Sequence, residues 1–210
     1  MDNSITYHKE EKLNALSHGI GILLGIAGFI LLWKFHDPNI PNASLSITIY
    51  SISIILLFTA STLYHMVNAP QIKKKLRILD HISIYFLIAG TYTPVSLITL
   101  NDTRGFDIFL VVWGVALAGT LYKLFYTGKY EFISLLLYLV MGWLIVFDFQ
   151  SIWERLSTTG ISLLFLGGAF YTLGIIFYAV RKIPYNHLIW HFFVLGGAIS
   201  HWLLIFSDVI

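Results

Sequence analysis

Seven long apolar runs, each closed by charged or turn-forming residues, divide the chain: 17–33, 45–67, 82–100, 108–122, 132–147, 158–180 and 188–207. An apolar run of about 20 residues spans the ~30 Å hydrocarbon core of a bilayer as a helix, because a helix pairs its own backbone groups where no water can. The runs show no sustained period-two alternation, so transmembrane strands do not fit. The first, fourth and fifth runs are short for a full crossing. Their flanks Trp33–Lys34, Tyr122–Lys123 and Lys129–Tyr130 are expected to make up the difference by snorkelling to the interface. The expected fold is an all-α membrane protein, a seven-transmembrane helix bundle.

Composition supports this and removes alternatives. Of the residues, 57% are hydrophobic and 11% charged, with mean hydropathy +0.78. A soluble domain carries about 25% charged residues, so this chain cannot clothe a water-facing surface. Soluble enzymes and disordered chains are excluded, and a net charge of +2 gives no footing for nucleic acid. With no cysteine, disulfides, thiolate metal sites and a cysteine nucleophile are excluded together. Residues 1–16 read as a short polar cytoplasmic segment bearing Asp2, Lys9, Glu10, Glu11 and Lys12. Residues 17–210 read as one seven-helix domain, with no cleaved leader expected.

Basic residues give an orientation. If the N-terminus and the second, fourth and sixth loops share a side, that side holds ten of the thirteen lysines and arginines. Lys34, Arg104 and Arg155 occupy the other. The excess predicts a cytoplasmic N-terminus and an exterior C-terminus. Glycines inside the spans (Gly21, Gly25, Gly167, Gly168, Gly174, Gly196, Gly197) read as close-packing devices. Pro94 is expected to kink the third span.

Ionisable residues near span ends carry the chemistry, because such groups are costly in a membrane and need a partner or a role. Ser61 and His65 are four residues apart, as are His187 and His191, so each pair shares a helix face. Asp80 stands before the third run. The topology brings His65, Asp80, His187 and His191 to one depth at the cytoplasmic side. Three neutral imidazoles with no thiolate and an open position make the ligand set of a catalytic Zn2+ site. Asp80 is placed to bond a water or a ligand imidazole, and Ser61 to support it. His201 lies ~15 Å further along its helix than His191 and reads as a packed polar residue. His81 is expected to point elsewhere, and His8 and His36 read as loop residues. Glu11, Asn14, Ser17 and His18 read as capping and interface residues at the entry to the first span.

Three motifs together resemble a known family. Glu11, Asn14, Ser17 and His18 form E-x2-N-x2-[ST]-H; Ser61 and His65 form S-x3-H, followed by Asp80; His187 and His191 form H-x3-H. With the segment Gly90–Pro94, this is similar to the progestin and adipoQ receptor (PAQR) family, most closely its bacterial hemolysin III branch. The resemblance covers residues 11 to 201. It implies a seven-helix fold and a zinc ion held by His65, His187 and His191, with Asp80 and Ser61 beside it. It also implies, from ceramide-cleaving members, hydrolysis of a lipid amide or ester. Membrane lipids are the expected partners, in the cell membrane. Two functions therefore stand: a zinc-dependent lipid hydrolase with Asp80 as general base, and a non-enzymatic membrane protein, either a receptor or regulator in which zinc is structural or a pore-former.

Overall fold

Helix begins well upstream of the first apolar run. In the computed structural model, which describes residues 3–210 and side chains from His8 onward, α1 spans Asn3–Phe35 as one unbroken helix. Glu10, Glu11, Lys12, Leu13, Ala15 and Leu16 are all strong helix formers, so the polar stretch continues the helix instead of preceding it. Asp2 lies outside the described residues. The remaining helices are α2 (Ala43–Met66), α3 (Pro70–Pro94), α4 (Gly105–Tyr126), α5 (Glu131–Gly142), α6 (Phe149–Arg155), α7 (Thr158–Ala179) and α8 (Asn186–Leu204). Among the described residues, seven segments are long and apolar enough to cross a membrane, the fifth being Glu131–Arg155, which includes α5 and α6. The chain is thus a multi-pass membrane bundle.

The helices close a ring. α1 packs on α2 and α8, α2 on α3, α3 on α4 and α5, and α7 on α8 and α5. The α2 and α3 segments are the most enclosed, and they contribute Tyr50, Ile54, Phe58 and Tyr85 to the core. Glycines set several of the close approaches. A side chain at Gly21 would meet the Phe58 ring, at Gly174 Trp190 and Phe193, and at Gly197 Tyr171. Gly168 differs: nothing lies within 4 Å of where its Cβ would stand, and it borders a cavity instead.

Three of the described helices change pitch, α8 at its end, where it passes into a π-turn over Ile205–Val209, and two within the bundle. α3 ends at Pro94 and passes into a wide π-turn over Val95–Thr99, closed by Leu100 N–H donating to the Val95 carbonyl at 3.0 Å. Proline has no N–H for the ladder, so the pitch widens where the sequence predicts a kink. The fifth crossing breaks after Gly142 into a 3₁₀ turn, Leu144–Asp148, before α6. Tyr92 of α3 repairs the gap: its hydroxyl donates to the Gly142 carbonyl at 2.9 Å and accepts from Ile145 N–H at 3.0 Å. In lipid such groups have no water to fall back on.

Each end of the bundle is stitched by polar pairs. At one end, Glu131 takes hydrogen bonds from Lys123 Nζ at 2.5 Å and Gly128 N–H at 2.8 Å. Arg77 lies 3.5 Å and His81 3.6 Å from the same carboxylate. Lys123 is fully buried, so it does not snorkel as its position at a span end predicts. A cation with a charged partner at that distance keeps its pair when enclosed. Likewise His81 turns toward Glu131 and the neighbouring cavity. At the far end, Arg155 bonds Asp102 at 2.5 Å and holds that carboxyl below its ordinary pKa. Asp208 accepts from both Ser157 N–H and Ser157 Oγ at 2.9 Å, and Ser157 in turn caps α7 through Gly160 N–H.

Candidate metal centre

His65 sits in the last turn of α2, and His187 and His191 in the first two turns of α8. Entry to α8 is fixed from both sides. Tyr185 adopts a left-handed backbone (φ 55°), and Asn186 Nδ2 donates to the Phe177 carbonyl at the end of α7, 2.9 Å away. The i, i+4 spacing then turns both imidazoles toward α2. Ring centres lie 5.1 Å apart for His65–His187, 5.0 Å for His65–His191 and 4.8 Å for His187–His191. One nitrogen from each of the three lies within 4.8 Å of the others, the one such histidine or carboxylate cluster among the described residues.

Hydrogen bonds fix which nitrogen is free. His65 Nδ1 lies 3.0 Å from Glu11 Oε1. A carboxylate only accepts, so Nδ1 carries the proton and Nε2 is left with its lone pair. That Nε2 is buried and has no partner in the protein. His191 Nδ1 lies 3.2 Å from the Asn14 carbonyl and 3.0 Å from Ser17 Oγ, whose own proton goes to the same carbonyl at 2.8 Å. Again Nδ1 is the donor and Nε2 the free base. An unpaired buried acceptor is costly, and that of His65 stands beside two further imidazoles, where a ligand would relieve the cost. The donor set is that of a zinc-type ion: neutral imidazoles, no thiolate, one ring backed by a carboxylate. Two zinc–nitrogen bonds reach about 4 Å end to end, so an ion would draw the rings slightly inward. The triad could therefore hold a metal ion.

These contacts correct the sequence reading of the first motif. Glu11, Asn14 and Ser17 do not cap a helix, because α1 already runs past them. They stand behind the imidazoles and set their tautomers. Glu11 also pairs with Lys73 at the start of α3. His18 stacks on His191 at 3.6 Å, nearly parallel (9°), and both its nitrogens are buried without partners. The spacing 11, 14, 18 holds one face of a helix, a signal that becomes readable once α1 is extended upstream.

Asp80 lies in the middle of α3, not at its start. It is half-buried and in hydrogen-bonding contact with Ser61. Both line a cavity of about 290 Å³ that also touches His187, His191, Arg77 and Arg181. His36, read as a loop residue, ties the end of α1 to α2 through Ser44 at 2.8 Å.

The fold and the cavity define a class: a seven-helix membrane protein with a buried three-histidine centre at one end. Residues 6–202 match the family described as Haemolysin-III related, and the chain belongs to it. It is 46% identical over 192 residues to the "Hemolysin-3 homolog" of Bacillus subtilis (strain 168), covering 90% of each chain. It is 42% identical over 200 residues to the "Hemolysin-3" of Bacillus cereus, covering 94% of this chain and 91% of that one. The human "Monocyte to macrophage differentiation factor" is 30% identical over 209 residues, covering 94% and 84%.

Proposed function

We propose that this chain is a zinc-dependent hydrolase of a lipid amide or ester, working at the cytoplasmic face. The observation that carries this is the buried, unpartnered Nε2 of His65 within reach of His187 and His191, two rings that line a cavity also holding the Asp80 carboxylate. A purely structural histidine cluster would bond to itself. His65, His187 and His191 would hold the ion, which when bound supplies Lewis-acid polarisation of a carbonyl and acidifies water. Asp80, steadied by Ser61, is the base that accepts a proton from the attacking water. Glu11 and the Asn14–Ser17 pair keep Nδ1 of His65 and of His191 protonated, so the lone pairs of those two rings stay on Nε2. Apolar space continues from this cavity along Leu57, Ile84, Trp190 and Val194, which suits an acyl chain. The basic residues crowd the same end as the histidines (Lys73, Arg77, Lys123, Arg181), and the charge rule assigns that end to the cytoplasm.

The test is turnover of a panel of lipid amides and esters by purified wild type, His191→Ala and Asp80→Asn, with metal content measured on each. Activity should fall at least 100-fold in Asp80→Asn with the metal retained, and vanish with the metal in His191→Ala. Equal turnover by all three would rule out this mechanism. A second reading follows from the name "Hemolysin-3" borne by the Bacillus cereus relative. Lysis by this chain would require dye release from liposomes that depends on the protein but not on Asp80.

A further inference from the structure

A second group of unsatisfied polar atoms lies deeper in the bundle. His201 is ten residues beyond His191 on α8, hence ~15 Å further along the axis. Its Nε2 is 3.2 Å from the Leu164 carbonyl. A carbonyl can only accept, so Nε2 carries the proton and Nδ1 is a bare acceptor. That Nδ1 is buried and unpaired, as is the hydroxyl of Tyr171 on α7, whose ring centre is 5.6 Å from that of His201. Of the other hydroxyls nearby, that of Tyr50 is likewise buried and unpaired, whereas those of the cavity wall have partners. Tyr92 bridges the break in the fifth crossing, Thr91 donates to the Leu87 carbonyl, and Thr172 accepts from Trp143.

His201 borders a cavity of about 410 Å³ between α3, the fifth crossing, α7 and α8. A narrower cavity bordered by both His201 and Tyr171 joins it to the metal centre through shared walls at Leu57 and Trp190. The larger cavity is otherwise apolar, and its rim residues Val146 and Phe165 are exposed on the outer, lipid-facing surface of the bundle. Water does not fill apolar space of this kind unaided. A hydrocarbon does, and one carrying a hydroxyl would also satisfy both polar atoms, donating to Nδ1 and accepting from Tyr171.

We infer that this mid-bundle cavity binds a lipid with a hydroxyl on its hydrocarbon chain, seated between His201 Nδ1 and the Tyr171 hydroxyl. The site stands on its own geometry. Joined to the proposed reaction, on which this extension rests, it makes the substrate a lipid amide or ester with a hydroxylated chain, the hydroxyl ~15 Å from the scissile carbonyl.

Binding of a long-chain saturated fatty acid and of its mid-chain hydroxy analogue can be compared by scintillation proximity on the purified protein. The wild type should prefer the hydroxy acid about tenfold, the worth of one or two buried hydrogen bonds. Tyr171→Phe, which removes a single oxygen, and His201→Leu should each erase the preference while leaving the unsubstituted acid bound. If His201→Leu fails to fold, Tyr171→Phe decides. Equal binding of the two acids by wild type, or a preference that survives Tyr171→Phe, would overturn the inference. His187→Ala should keep the preference. Loss of turnover in that variant with the preference intact separates failure of one reading from failure of the other.

Discussion

Two clusters of ionisable side chains are buried at the same end of the bundle, and they are built on opposite plans. Around Glu131, the carboxylate is met by Lys123, Arg77, His81 and the Gly128 amide, and none of those side chains is left with an unpaired buried atom. Around His65, its own Nδ1 is bonded to Glu11 and that of His191 to Asn14 and Ser17, while the buried His65 Nε2 is left open. The first arrangement is complete and has nothing to offer a ligand. The second is finished on its outer side only. Burial and charge alone would rank the Glu131 cluster as the stronger functional candidate. Satisfaction of hydrogen bonds reverses the order.

Substitutions can break this contrast or sharpen it. The largest effect is expected for His191→Ala: metal content, read by elemental analysis of the purified protein, should fall from one ion per chain to near zero. Glu131→Ala should leave it at one, and loss of metal there would merge the two clusters into one site. Glu131→Ala should instead cost about 3–5 kcal/mol of stability by stranding buried Lys123, seen as a lower thermal midpoint in detergent. The double change Lys123→Met with Glu131→Leu should recover most of that loss. A chelator should lower the midpoint of wild type but not of His191→Ala, since an ion stabilises only a protein that binds it. Next in size is Glu11→Gln, which weakens the backing of His65 and should reduce metal affinity about 10–100-fold in chelator competition. The smallest effect is expected for Ser61→Ala: about tenfold in turnover through Asp80, with metal content unchanged.

Much of this was legible in the sequence. Seven crossings follow from hydropathy, because the membrane imposes length and composition together. The histidine triad follows from two i, i+4 spacings and the alternation of spans. What was hidden depended on contacts across the chain. The polar start of α1 drops out of an apolar run, so Glu11, Asn14 and Ser17 read as an entry segment although they reach His65 and His191. Lys123 at a span end reads as a snorkelling lysine. Its partner Glu131 lies eight residues on, beyond a turn, and draws it inward. The break after Gly142 is invisible in an unbroken apolar run, since Tyr92, fifty residues away, makes it affordable.

The contact between Ser17 and His191 joins residues 174 positions apart. Ribosomes and the insertion machinery deliver helices one after another, so the rear support of His191 emerges first and the ring it holds comes with the seventh crossing. A chain halted before that point has no complete histidine triad, however well its earlier helices are inserted. If the triad takes up an ion, as proposed, uptake would be a timestamp for the end of assembly, and a pulse-labelled nascent chain should acquire it only after α8 has left the ribosome.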